Sequence, residues 1–418
     1  MSASSIVPLS QFARGLSTET AFDVLAVAKR LKAQGKDVIE LQIGDSPFNS
    51  TNSALEAGLQ AIKSNQTHYC PSLGLVSFRE TVAANYRKEY GIDIQAENVV
   101  VGPGAKVFEQ FFCEAFLDPG DEVLVFSPAF PTYAPNIERR GGVIVTSHLK
   151  QEHAFRPCLH DIEDFVKRPK AKAIFLNSPH NPTGGVATEG DLKAIANLMR
   201  GKNIAIFSDE PYNHMVWSGA HHPMLAQPGI MDQTVACYTF SKSYSMSGWR
   251  LGYAVSSPRI IDAIGKMINT SLSCVPPIVQ LAGEAALKND DKERDEVMQR
   301  FKKKVELLVS ELKSVQGVNV IMPAGTFYVF PNVAPICMRL GITSHGLAMF
   351  LLEAADDKKG VACLGGECFG PAGKGFLRFS CAEPDDRLKQ AVAFLKEAIT
   401  RNDRVMAYLD AHPKYRLP

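Results

Sequence analysis

KAIFLN (172–177), NIAIFSD (203–209) and VACYTFS (235–241) are the runs on which the fold of this chain turns. Each is a nearly continuous apolar stretch that ends in polar or turn-forming residues. A strand with water on one face alternates apolar and polar positions, whereas a strand buried on both faces does not. On either side, similar runs stand at NVVV (98–101), EVLVF (122–126), GVIVTS (142–147) and LGYAV (251–255). Helix-like segments such as 107–117 and 189–200 separate most of them. That alternation predicts an α/β fold with a mostly parallel sheet of about seven strands, covered by helices on both faces. Too little chain joins the last two runs for an ordinary crossover, so LGYAV is expected to run antiparallel.

The flanks read differently. Residues 1–17 are polar and weakly patterned, an N-terminal arm, and apolar residues then recur at helical spacing over 20–35, 53–64 and 76–90. VIELQIGDSPF reads as a short strand breaking into a turn at Gly44, and THYCPSLG is a turn-rich stretch carrying Tyr69. From 279 to 314 the pattern is long, charged and helical, one or two helices with a solvated face. TFYVF and FLRFSC supply strands of a smaller α+β domain, closed by a helix over 385–400. The expected organisation is an arm and part of the small domain over 1–48, a large domain over 49–290 and the rest of the small domain over 291–418. The boundary near 290 falls in helical sequence, a hinge and not a flexible tether.

Composition narrows the function classes. A length of 418 residues leaves room for one large and one small domain. The formal net charge of +1 gives no reason to expect nucleic acid or an anionic membrane as partner. No apolar run approaches a membrane span, and the first residues lack the apolar core of a secretory signal. The nine cysteines are scattered singly with no CxxC pair, which argues for a reducing compartment, the cytoplasm by default, and against structural zinc or any other metal.

The chemistry centres on TFSKSYSMSGWRLGY (239–253). A lone amine, Lys242, follows the hydroxyls of Thr239 and Ser241 at a strand-to-loop junction, and the guanidinium of Arg250 comes after it. An amine flanked in this way suits a phosphate-bearing aldehyde held covalently as a Schiff base, its dianion taken by the hydroxyls and the arginine. Pyridoxal 5′-phosphate is the cofactor that fits. Other features sit at the C-terminal ends of the expected strands, where open α/β sheets bind ligands. GPGAK (102–106) is a glycine turn feeding a helix, an anion site. It lacks the third glycine of a dinucleotide fingerprint, because Val107 stands there. Asn181 lies between two prolines, in a turn that would also serve as a helix cap. Asp209 ends a buried strand, where it either caps or pairs with a protonated pyridine nitrogen, and Tyr212 could donate to the ring's phenolic oxygen. Phe130 suits stacking on a flat ring or plain core packing. Arg378, inside a strand, needs either an internal acid or a substrate carboxylate.

Taken together and in order, NSPHNPTGG, SDEPY, TFSKSYSMSGWRLGY, PAGTFYVF and GFLRFS make the chain resemble the class I/II aminotransferases of fold type I, the aspartate-aminotransferase-like enzymes. The resemblance covers about residues 23–399. It implies transamination from an L-amino acid to a 2-keto acid, 2-oxoglutarate for preference, with ping-pong kinetics. It implies that Lys242 carries the cofactor, Asp209 pairs with the ring nitrogen and Tyr212 with the ring oxygen, while Phe130 stacks on the ring. Asn181 would lie beside the ring oxygen and near the substrate carboxylate. The phosphate would be held by the Ala105 and Lys106 backbone, Thr239, Ser241, Arg250 and, from a neighbouring subunit, Tyr69. Arg378 and the Gly44 backbone would take the α-carboxylate. A homodimer with shared sites follows from Tyr69.

In some relatives a lysine at the position of Lys106 reaches a distal carboxylate, which leans toward an aspartate-type donor. Glu367 in CLGGECFG, a loop that departs from the family's VPGxxFG-like form, argues for repelling such a donor or for welcoming a cationic one. GDSPF in place of GEPDF is a second departure, Thr239 replaces the usual Ser or Gly but keeps the hydroxyl, and Phe130 keeps only the flat face of the usual Tyr or Trp. An aromatic donor, and a PLP-dependent C–S β-lyase on the same scaffold, remain alternatives. A non-catalytic regulator is disfavoured because too few residues precede Asp23 for a DNA-binding domain.

Overall fold

The seven apolar runs become β2 (Val99–Gly102), β3 (Glu122–Ser127), β4 (Val143–His148), β5 (Ala171–Asn177), β6 (Ala205–Asp209), β7 (Thr234–Thr239) and β8 (Gly252–Val255). They form one sheet in the order β2-β8-β7-β6-β5-β3-β4. The structure, a computed structural model, describes residues 7–16 and 19–418. β8 pairs antiparallel with both β7 and β2, and the other neighbours pair parallel. The antiparallel strand is therefore LGYAV, as the short connection requires. The central strands are buried along their whole length, so their apolar runs are continuous. Phe175 and Phe207 stand in register on β5 and β6 with ring centroids 4.9 Å apart, and Phe112 from the helix Lys106–Phe116 packs on both. Aromatic pairs of this kind add about 0.5–1.5 kcal/mol each beyond the area they bury.

Not every connection carries a helix, in keeping with the sequence reading that only most do. Between β6 and β7 the chain crosses without an α-helix, through two single 3₁₀ turns, Met224–Ala226 and Met231–Gln233. Pro211, Pro223 and Pro228 lack the N–H that a helix needs, and Gly219 and Gly229 take positive φ, so no helix can run through this segment. Helices occur near their expected places, at Thr20–Ala33, Asn52–Lys63, Val76–Tyr90 and Glu189–Met199. The charged run is two helices, Pro277–Asn289 and Asp291–Leu312, interrupted at Asp290, whose N–H still donates to the Ala286 carbonyl.

The remaining strands draw on both ends of the chain. β1 (Asp37–Glu40) pairs parallel with β10 (Lys359–Ala362), while β9 (Tyr328–Val329), β11 (Leu364–Gly365) and β12 (Leu377–Ser380) make an antiparallel sheet in the order β11-β12-β9. Of the arm expected over 1–17, residues 1–6 and 17 lie outside the described residues, and Gln11–Gly15 is a short helix. All nine cysteines are free thiols. Among the described residues no helix is long and apolar enough to cross a membrane.

Candidate active site

Because β8 alone runs against the rest, the C-terminal ends of β2, β3, β5, β6 and β7 share one edge of the sheet, the edge where open α/β sheets bind ligands. A cavity of about 420 Å³ opens there. Every residue singled out from the sequence lines it except Tyr69, which is 89% exposed on the surface, and Glu367, whose place is described below.

Lys242 is not at a bare strand-to-loop junction. β7 ends at Thr239, which caps a single helical turn, Phe240–Ser243, by accepting a hydrogen bond from the Ser241 N–H at 3.2 Å. That turn aims the lysine into the cavity, where its Nζ donates to the Gly44 carbonyl at 2.5 Å. Gly44 is required by the same packing: a Cβ on it would lie 1.7 Å from the Tyr328 hydroxyl oxygen. Behind the lysine, Ser243 bonds His214 Nδ1 at 2.9 Å, and the Glu89 carboxylate lies between His214 Nε2 (3.1 Å) and Arg294 Nη1 (3.0 Å). Burial works against ionising Glu89, yet the His214 hydrogen bond and the Arg294 charge bring its carboxyl down to about 2.

Asp209 lies at the end of β6, 6% exposed. It accepts from the Tyr133 hydroxyl at 2.5 Å and from the Cys237 thiol at 3.3 Å. Burial raises its carboxyl to about 6, against the pull of these two hydrogen bonds. A cation beside it would restore the ionised form. Neither Tyr133 nor Cys237 was evident as a site residue from sequence, although Tyr133 follows Phe130 by one helical turn. A second buried carboxyl, Glu109, also lines the cavity and accepts from the Thr132 hydroxyl at 2.5 Å. Burial and then the Asp209 charge push its pKa well above the usual carboxylate range. No motif announced it.

The Tyr212 hydroxyl, buried, donates to the Tyr328 hydroxyl at 3.3 Å. Thr239 Oγ1 lies 2.8 Å from Ser241 Oγ, and both hydroxyls face the cavity. Arg250 takes a left-handed backbone (φ 57°), and its guanidinium donates to the Ser247 and Pro103 carbonyls across the Gly104 turn. Gly104 takes φ 91°, a left-handed conformation that side chains other than glycine rarely adopt, and a Cβ there would also press on Arg250 Nη2 at 2.6 Å. Ala105 and Lys106 begin the helix Lys106–Phe116, and backbone N–H groups at such a helix start can turn to an anion.

Arg378 is 4% exposed. Its guanidinium donates to Asn181 Oδ1 (3.0 Å) and the Gln42 carbonyl (2.6 Å), while Nε has no partner among the described residues. It lies over the rings of Tyr328 and Phe369, at 4.3 and 5.0 Å from their centroids. Among the described residues no carboxylate pairs with it, so the internal-acid reading is set aside. Asn181 accepts at Oδ1 from Arg378, and both residues line the cavity.

Two sequence expectations change. Glu367 does not reach the cavity: its carboxylate accepts from the N–H (3.0 Å) and hydroxyl (2.5 Å) of Ser344 at the start of the helix Ser344–Glu353, where an anion is stabilised. Lys106 is not free, because its Nζ is paired with the carboxylate of Glu19 and lies 5.3 Å from the centroid of the Phe130 ring.

These groups fit pyridoxal 5′-phosphate. The cavity offers an amine for the aldehyde, a buried carboxyl for the ring nitrogen, and a helix start with hydroxyls and a guanidinium for the dianion. Its volume suits a ring, a phosphate and a small substrate. Residues 36–395 match the model of the aminotransferase class I and II family. The chain belongs to that family, and it is a pyridoxal-phosphate-dependent transaminase. A probable aspartate/prephenate aminotransferase of Aquifex aeolicus (strain VF5) is 36% identical over 92% of this chain and 96% of that protein. An aspartate aminotransferase of Pyrococcus horikoshii is 33% identical over 87% of this chain and 91% of its own. The aspartate aminotransferase of Thermus thermophilus, solved with maleate, superposes with a TM-score of 0.88 at 29% identity, over 94% of this chain and all of that one. The C–S lyase alternative gains no support from these relatives.

Proposed function

We propose that the chain moves the amino group of a dicarboxylic L-amino acid, aspartate foremost, to 2-oxoglutarate. The observation that carries this reading is a pair of cations in one cavity beyond those the phosphate uses. Arg378, buried without an acid, suits an α-carboxylate, and Lys106, at the wall, suits a second carboxylate. The aspartate named for the relatives points the same way.

Pyridoxal phosphate, when bound, supplies an aldehyde to carry the amino group and an electron-withdrawing ring. The residues do the rest. Lys242 holds the cofactor at rest, and its freed Nζ takes the proton from the substrate's α-carbon. Asp209 keeps the ring nitrogen protonated through a charge-assisted bond, with Tyr133 and Cys237 fixing the carboxylate. The Tyr212 hydroxyl, turned from Tyr328, and the Asn181 amide would donate to the ring oxygen, and Phe130 would cover the ring face. The Ala105 and Lys106 N–H groups, Thr239, Ser241 and Arg250 hold the phosphate. Arg378, with the Gly44 backbone, orients the substrate so that its α-proton faces Lys242. The test supplies aspartate without any acceptor. One equivalent of oxaloacetate per site, with turnover resuming only on addition of 2-oxoglutarate, is the expected result. Sustained release of ammonia and keto acid without an acceptor would contradict it.

The active unit in this reading is a homodimer. Leu55, Leu59 and Ile62 are 38, 60 and 55% exposed on one face of the helix Asn52–Lys63, and Tyr69 follows that helix. Such a stripe suits a second copy of the chain, which would receive Tyr69 at its phosphate site. Leu59→Glu is expected to sediment as a monomer and to bind the cofactor about tenfold more weakly or worse, the loss of one hydrogen bond to a charged group. A dimeric variant of unchanged affinity would count against this interface. In this reading the described residues up to 48, as an arm and part of the small domain, go with 291–418, and 49–290 make the large domain, with the boundary near the interruption at Asp290. The nine free thiols favour the cytoplasm.

A further inference from the structure

Glu19 stands at the residue before the helix Thr20–Ala33, and its side chain makes no capping hydrogen bond there. Its carboxylate is spent on Lys106 Nζ instead. Both residues line the cavity that holds Lys242 and Arg378, and both also line the adjoining space of about 830 Å³, so the pair stands between the two. The Glu19 side chain is only 16% exposed and that of Lys106 46%. The ammonium is held from a second side by the face of Phe130. Lys106 is also the first residue of its helix, where a cation is disfavoured by the helix dipole and gains most from a nearby anion.

We propose that Glu19 is a specificity-determining residue: its carboxylate occupies, in the free enzyme, the place on Lys106 that the side-chain carboxylate of a dicarboxylic substrate takes, and the substrate must displace it. This rests on the reading of Lys106 as the distal cation. Glu19 then acts as a built-in competitor that weakens dicarboxylates and leaves monocarboxylates, which never call on Lys106, unopposed. A half-exposed ion pair is weak, so the competition is modest and is readily overcome at millimolar substrate. Its consequence is a narrowed gap between dicarboxylic and monocarboxylic substrates, set by one residue of the N-terminal segment.

The test uses the cofactor-loaded enzyme and succinate, a dicarboxylate with no amino group to transfer, with propionate as its monocarboxylic counterpart. Glu19→Gln is expected to tighten succinate roughly threefold to fivefold by titration calorimetry. The same variant should use the acceptor 2-oxoglutarate at lower concentration relative to pyruvate, with the ratio of the two Michaelis constants moving by a similar factor. In a Lys106→Ala background the substitution is expected to leave succinate unmoved. Equal changes for succinate and propionate, or weaker succinate binding in Glu19→Gln, would overturn the proposal. So would a tightening that survives loss of Lys106. A wild type that favours monocarboxylates outright would sink the substrate reading together with this one. A wild type that favours dicarboxylates, with succinate binding unmoved by Glu19→Gln, would sink this one alone.

Discussion

Lys242→Ala is expected to keep the cofactor and lose turnover by at least about 10³-fold, within the range that a positioned proton carrier supplies when it also serves as the covalent anchor. Retention follows from the number of other groups that face the same cavity: Asp209, Ser241, Thr239 and Arg250 are untouched by the change. Loss of turnover follows from position. Of the lysines lining the cavity, Lys242 has its amine beside Gly44, whereas the amine of Lys106 is engaged by Glu19 and Phe130. The measurement pairs cofactor content after gel filtration with the rate of aspartate-dependent glutamate formation. A variant that turns over near the wild-type rate would remove Lys242 from the proton transfer. One that loses its cofactor altogether would give the lysine a larger share of binding than the cavity suggests.

Asp209→Asn should lower kcat/KM by roughly 10²–10³-fold, the usual cost of removing one preorganised electrostatic partner from a site where charge develops. The same carboxyl also makes a prediction about the cofactor-free protein. Its pKa rises from 3.8 to about 6 on folding, mainly through burial. Between those values the folded state binds more protons than the unfolded one, so stability falls as pH rises from 3.8 to about 6. The loss approaches about 3 kcal/mol by pH 7, and the asparagine variant lacks it. Urea unfolding of the two cofactor-free proteins at about pH 4.5 and about pH 7, on either side of most of that transition, measures the difference. With the cofactor bound, a cationic ring nitrogen should reverse the sign of the local charge balance and shrink the gap. Parallel pH profiles for the two proteins without cofactor would mean that the carboxyl is better hydrated than its 6% exposure indicates.

Much of the fold was legible because buried parallel strands write themselves as unbroken apolar runs. KAIFLN became Ala171–Asn177 and NIAIFSD became Ala205–Asp209 with the polar residue at the end of each strand. The direction of β8 was legible too, since chain length forbids a crossover. The segment after Asp209 was not, because its prolines and glycines suppress a helix that strand alternation alone would suggest. The helical turn under Lys242 was hidden because VACYTFS continues the strand pattern through Ser241, and only the Thr239 cap at the Ser241 N–H ends it. Residue types with unmistakable chemistry, such as Lys242, Asp209 and Arg250, stood out from short strings. Tyr133, Cys237 and Glu109 did not, since each is an ordinary core residue until its neighbours across the sheet are known.

The number and direction of the central strands and the cofactor class were written in the linear chain, and Lys242 was singled out there, because local strings of hydroxyl, lysine, glycine and arginine carry that chemistry wherever they occur. Which charge faces which was settled only by folding. Arg378 lies 336 positions from the carbonyl it bonds and meets no acid among the described residues, Glu367 turns to Ser344, and Glu19 reaches across 87 positions to Lys106. Electrostatic energy depends on separation in space and on burial, and neither can be read from distance along the chain.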